Sequence, residues 1–240
     1  MQLPQTNSLE INSEGGILIL SINSPPNNYL AADFFKELHE CRDLFLSPEV
    51  AAIIFTGKGN VFSKGVDLQE LGALPSEIDQ SILKFGNKIF TFISHLKKPV
   101  IAAINGPCFG GGLELALSCH IRLCSEKARL GLPELSIGII PGLGGIYRLI
   151  QVMGEAKALE MILLGDMISA SRALEVNLVN RVFPKKEFFN KVMIFVKTLL
   201  TARKAAIEKV LMLAAMSRTA NEEENIQMAA ESFTQLISKS

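Results

Sequence analysis

The chain has 240 residues, the length of one full-sized domain with room for a smaller appendage. It is 48% hydrophobic and 20% charged, as expected of a globular protein with a sizeable core. Lysine plus arginine equals aspartate plus glutamate, 24 each, which argues against a broad nucleic-acid surface and leaves little self-repulsion to oppose assembly into an oligomer.

The N-terminal stretch from Met1 to Thr6 has neither a basic region followed by an apolar run nor an arginine-rich amphipathic pattern. No apolar run reaches the length of a membrane span, so a membrane partner is not expected. Gly16 to Asn23 reads as a strand, closed by the turn Ser24-Pro25-Pro26-Asn27-Asn28. Phe34, Phe35, Leu38 and Leu44 give one apolar face to a helix expected over about 32–45. Val50 to Thr56 is a second buried strand, ended by Gly57-Lys58-Gly59-Asn60. A helical region over about 70–95 follows, without diagnostic residues. Pro99 to Asn105 is a third strand, leading through Gly106-Pro107 and Gly110-Gly111-Gly112 into a helix over about 112–118.

Ile121 to Ser125 and Arg129 to Leu132 read as further strands, and Pro141-Gly142-Leu143-Gly144-Gly145 opens a helix over about 146–153. The strand–turn–helix units begin near residues 50, 99 and 129 with no fixed period, which argues against a solenoid. After Pro184 apolar residues fall at helical spacing: Phe189, Val192, Met193, Val196, and later Ile226, Ala230, Phe233 and Ile237. Residues 1–185 are therefore expected to form the core and 186–240 a helical appendage whose apolar stripes need a partner surface.

Two glutamates stand out. Glu114 closes Gly110-Gly111-Gly112-Leu113-Glu114, and Glu134 closes Leu130-Gly131-Leu132-Pro133-Glu134, both in otherwise apolar stretches. A carboxylate carried by folding into an apolar pocket commonly serves to move protons. The four cysteines, Cys41, Cys108, Cys119 and Cys124, lack paired metal-ligand spacing and are expected to be buried free thiols in a reducing cytoplasm; no metal site is expected. His39 and His95 read as surface residues and His120 as structural. No serine sits on a G-x-S-x-G elbow, and neither glycine run is followed by Lys-Ser or Lys-Thr, so hydrolase-triad and phosphate-loop readings are set aside.

Four segments carry a family resemblance. GKGNVFSKGVDL (Gly57 to Leu68), KKPVIAAINGPCFGGGLELALSC (Lys97 to Cys119), RLGLPELSIGIIPGLGGIYRL (Arg129 to Leu149) and GDMISASRALEVNLVNRV (Gly165 to Val182) resemble, in order and spacing, the signatures of the crotonase (enoyl-CoA hydratase/isomerase) superfamily. The resemblance implies an α/β fold: a ClpP-like spiral of ββα units with a C-terminal helical trimerisation region, assembling as a homotrimer or dimer of trimers. It implies acyl thioesters of coenzyme A as substrates, coenzyme A being part of the substrate and no separate cofactor being needed. It further implies an enolate held by the backbone N–H groups of Val66 and Gly111, with Glu114 and Glu134 as catalytic acids. Ser63, Lys64, Gly65, Asp67, Gly110, Pro133 and Gly142 fall at substrate-binding positions.

Retention of both glutamates points to hydration of 2-trans-enoyl-CoA. The alternatives are an enoyl-CoA isomerase using Glu134 alone, a hydratase or dehydratase acting on carrier-protein-bound acyl groups, and a non-catalytic binding protein on the same fold. Some positions depart from the pattern. Ser24 stands where many relatives carry a basic residue, Val66 and Lys64 stand where alanine is commoner, and many relatives continue past the position of Ser240. Lys64 reads either as a replacement for a lost charge near the coenzyme or as a solvated surface lysine.

Overall fold

The computed structural model describes residues 3–67 and 80–238. Its backbone is a six-stranded sheet in the order β1-β2-β3-β4-β6-β9 and a three-stranded sheet in the order β5-β7-β8. The large sheet comprises β1 (Leu9–Glu14), β2 (Ile17–Ile22), β3 (Ala52–Gly57), β4 (Val100–Ile104), β6 (Ile121–Ser125) and β9 (Arg181–Phe183). All its neighbours run parallel except β1, which pairs antiparallel with β2. The small sheet joins β5 (Cys108–Phe109), β7 (Arg129–Gly131) and β8 (Met167–Ser169).

Parallel strands are apolar on both faces because both faces are covered. Leu18, Leu20, Ile53, Phe55, Val100, Ala102 and Ile104 face the main core. The alternating residues Ile17, Ile19, Ala52, Ile54, Ile101 and Ala103 face the opposite side. There α8 (Phe188–Leu199) lies across the sheet with Phe188, Val192, Met193 and Val196. The main core is closed by α1 (Ala32–Glu40), α3 (Gln80–Ser94) and α4 (Gly111–Ser118). Every residue of α4 is buried, so it has no polar face at all.

The strands expected from the apolar runs are present within one or two residues of their expected ends. The helix expected over 32–45 is two helices, α1 and α2 (Arg42–Leu46), which meet at Cys41 with ψ near −2°. The break turns Phe45 onto the sheet, edge-on to Phe55 at 6.2 Å. β1, the two-residue β5, β8 and β9 escaped the sequence reading for different reasons. β1 is an edge strand with only Leu9 buried, and β8 and β9 are three residues long. Also unforeseen are α6 (Glu155–Leu164), which follows α5 (Gly145–Met153) directly, and α7 (Ala170–Glu175).

A 3-10 turn at Lys185–Glu187 precedes α8. Beyond it, α9 (Lys204–Met216) and α10 (Glu222–Ile237) pack on each other and bury almost nothing. The α10 stripe is turned outward, with Ile226 62%, Phe233 67% and Ile237 60% exposed. Among the described residues no helix is long and apolar enough to cross a membrane. Leu68 and the first part of the helical region expected over 70–95 lie outside the described residues.

Candidate active site

α4 begins where two chain segments nearly touch. Gly110 has φ +50°, a conformation costly for any residue with a Cβ, and its N–H donates to the Gly131 carbonyl of β7 at 3.0 Å. Gly65, at φ +102°, lies so close that a Cβ there would sit 3.2 Å from the Gly111 nitrogen and 3.1 Å from the Phe109 oxygen. Both glycines are thus needed for the approach of the 63–67 loop to the start of α4.

That approach leaves two amides unpaired side by side. Val66 bridges Leu30 in parallel fashion, but the bonds run from Leu30 N–H to Gly65 O at 2.8 Å and from Asp67 N–H to Leu30 O at 3.5 Å. In such a bridge the N–H of the middle residue points away from the partner strand. The Val66 nitrogen lies 3.3 Å from where a Cβ would stand on Gly111, whose own N–H is in the first turn of α4 and has no intrahelical acceptor. Among the described residues neither the Val66 nor the Gly111 N–H has an acceptor. Two neighbouring N–H groups without acceptors can together receive an anionic oxygen.

Glu114, one turn into α4, is only 2% exposed. Its Oε1 accepts two hydrogen bonds, from Leu143 N–H at 2.7 Å and from Gly145 N–H at 2.8 Å. Gly145 is the first residue of α5, so the carboxylate also sits at a helix N-terminus. Burial pushes its pKa up to about 7; the Gly145 bond opposes that, the nearby Glu134 reinforces it, and the Leu143 bond and the Arg148 guanidinium oppose it. Oε2 has no protein partner among the described residues and is left for the cavity.

Glu134 opens a 3-10 turn, Glu134–Ile137, that directly follows Pro133. Its carboxyl lies against Gly110, where a Cβ would meet Oε1 at 3.2 Å. Burial raises its pKa, opposed by its own backbone N–H. Its Oε2 is buried with no hydrogen-bond partner. A buried carboxyl oxygen without a donor favours the protonated form or a ligand that supplies the missing partner.

Both acids and both amides line one cavity of about 630 Å³. Lys64, Gly65, Gly110, Pro133 and Gly142 line it too. Ser63 does not: it is fully buried, and its Oγ accepts from Gly65 N–H at 3.1 Å, shaping the loop from beneath. Asp67 is likewise absent from the lining, its N–H directed to Leu30. The structure thus does not bring these two expected residues to the cavity wall; Ser63 bridges Cys108, whereas Val66 bridges Leu30.

The remaining candidates are structural. His120 Nδ1 accepts from Val100 N–H at 3.0 Å, and burial lowers its pKa to about 4. His39 is half-buried against Phe85, at 5.1 Å between rings, and is not the solvated residue expected. All four cysteines are free and buried. Among the described residues no group of three or more His, Cys, Asp or Glu could hold a metal ion.

Sequence reading missed the supports of Glu114. Arg148 Nη1 donates to the Leu143 carbonyl at 2.6 Å, and Asn87 Nδ2 donates to Gly142 O at 2.7 Å and Leu83 O at 3.0 Å. They hold the 141–145 loop between α3 and α5. The available signal was the glycine run before α5, which marks a backbone that something approaches closely: a Cβ at Gly145 would meet Glu114 Oε1 at 2.8 Å.

The architecture and the paired acids define a class, and comparison with known proteins assigns it. The family model described as enoyl-CoA hydratase/isomerase matches residues 12–240, and the chain belongs to that family. A probable enoyl-CoA hydratase of Bacillus subtilis (strain 168) is 43% identical over 176 residues, covering 72% of this chain and 68% of that protein. A short-chain-enoyl-CoA hydratase of Clostridium acetobutylicum is 38% identical over 189 residues, covering 78% of this chain and 72% of that protein. The solved structure of Pseudomonas aeruginosa DspI matches with a TM-score of 0.93 at 27% identity, covering 100% of this chain and 99% of that one.

Proposed function

We propose that the protein is an enoyl-CoA hydratase: it adds water reversibly across the C2–C3 double bond of 2-trans-enoyl-CoA to give 3-hydroxyacyl-CoA. The observation that carries this reading is the convergence of Glu114, Glu134 and the unpaired N–H groups of Val66 and Gly111 on one cavity. The thioester oxygen accepts from the two amides, which meet the charge as it builds toward the enolate. Glu114, fixed by the Leu143 and Gly145 N–H groups, presents Oε2 to a water, takes its proton, and the hydroxyl oxygen bonds to C3. Glu134 gives a proton to C2. The acids end with their protons exchanged, and transfer through solvent or bound water resets them. A pKa of about 7 leaves Glu114 substantially ionised at neutral pH and still basic enough to take a proton.

The acyl group is carried on coenzyme A, with Lys64 at the cavity mouth available to its phosphates. The chemistry uses the chain's own acids and amides and calls for no separate cofactor. The proposed assembly is a homotrimer or dimer of trimers in the cytoplasm. The trimeric arrangement is supported by the outward apolar stripe of α10, which a neighbouring subunit would cover.

The test is to mix the protein with crotonyl-CoA and longer enoyl-CoAs and follow loss of the conjugated thioester absorbance. Turnover is expected. Tight binding of an enoyl-CoA without turnover would replace this reading with that of a non-catalytic binding protein. Double-bond migration without water addition would replace it with isomerisation by Glu134.

A further inference from the structure

Leu143 occupies an unusual place in the site. Its main chain serves Glu114, donating from N–H to Oε1 and accepting at its carbonyl from Arg148. Its side chain is fully buried and yet forms part of the cavity wall. The two methyls are wedged between two glycines. Cδ1 lies 3.5 Å from where a Cβ would stand on Gly111, and Cδ2 lies 2.8 Å from where one would stand on Gly86 of α3. Val66 closes the other side of Gly111, its Cγ2 2.8 Å from the same Cβ position. Two branched side chains therefore flank the amide proposed to hold the thioester oxygen. The one tied to Glu114 shares the cavity wall with that acid, which is proposed to direct water to C3.

We infer that Leu143 determines substrate specificity: its side chain excludes enoyl thioesters carrying a second substituent on C3 and restricts the site to straight-chain substrates. This rests on the hydratase reading. A substituent on C3 needs volume beside the line from Glu114 to that carbon, and the Leu143 isopropyl group fills the adjoining space. Truncating it leaves a void that persists, since Gly111 and Gly86 have no side chains to relax into it. A pocket that gains or loses a methyl-sized space changes discrimination by roughly 10–200-fold.

The experiment compares initial hydration rates of crotonyl-CoA and 3-methylcrotonyl-CoA by the unsubstituted protein, Leu143→Ala and Leu143→Val. The unsubstituted protein is expected to favour crotonyl-CoA in kcat/KM by about a hundredfold. Leu143→Ala is expected to narrow that preference by about tenfold or more, through a gain on the branched substrate, and Leu143→Val by less. An unchanged ratio in the variants overturns the inference, as does narrowing due only to lost crotonyl-CoA turnover or equal use of both substrates by the unsubstituted protein. If Leu143→Ala does not fold, the ratio in Leu143→Val decides on the same terms. Absence of crotonyl-CoA hydration by the unsubstituted protein overturns the hydratase reading itself, a result distinct from hydration with an unmoved ratio.

Discussion

The two glutamates are held in opposite ways. Glu114 is deep, on a wholly buried helix, and two main-chain N–H groups grip one of its oxygens. Glu134 is shallower, on a single 3-10 turn, and one of its oxygens is buried without any donor. Burial drives its pKa up, and the Gly145 and Leu143 bonds and Arg148 oppose that, leaving it at about 7. The shallower acid does without such a grip. Its position comes from packing against Gly110, and its unsatisfied oxygen leaves a bond for substrate to complete. A fixed acid suits the orientation of water, and an unpaired one suits direct proton exchange with carbon.

The largest expected effect separates these roles. Glu134→Gln should lower both hydration of crotonyl-CoA and exchange of the C2 protons of butyryl-CoA in deuterated water by about 10³–10⁴-fold. Glu114→Gln should lower hydration by about 10²–10³-fold while exchange falls by less than about tenfold. Near-normal hydration in either variant, or equal losses of exchange in both, would break the contrast. Next in size is Gly145→Ala. Its Cβ would meet Glu114 Oε1 at 2.8 Å, and displacing the fixed acid should cost about 10² in hydration with exchange far less affected.

The pH dependence sharpens the same point. A general base with a pKa of about 7 must be ionised, so hydration should rise with pH along a limb centred near 7, and butyryl-CoA exchange should not follow that limb in parallel. For stability the sign is reversed. Between its ordinary 4.5 and about 7, Glu114 holds a proton in the folded state that it has lost in the unfolded one. Its contribution therefore falls as pH rises through that window. Glu114→Gln should flatten the fall and raise the thermal midpoint at pH 8 by a few degrees, read by calorimetry. The smallest expected effect is at the mouth. Lys64→Ala should raise KM for crotonyl-CoA about 2–5-fold and weaken its salt dependence, with hydration and exchange affected alike because Lys64 serves neither acid in particular.

The apolar strands and the two acids were legible in the sequence because their signals are local. A run such as Ile53, Ile54 and Phe55 is buried wherever its sheet lies, and Gly110 to Gly112 marks a backbone that must pass close to something. The four motifs, in their order and spacing, indicated the family and through it the fold, which the apolar runs alone did not single out. Only the folded chain decided which neighbours met. Ser63 and Asp67 share a short loop with Val66, yet neither lines the cavity, Ser63 bridging Cys108 and the Asp67 N–H donating to Leu30 O. Asn87 and Arg148 carry no mark of their own; Leu143 and Gly145 reach Glu114 across 29 and 31 residues of chain, and Asn87 reaches the same loop at Gly142 across 55. The physical reason is range: hydrophobic burial and backbone conformation are written residue by residue, whereas the hydrogen bonds that fix an acid depend on which distant turns the packing brings together.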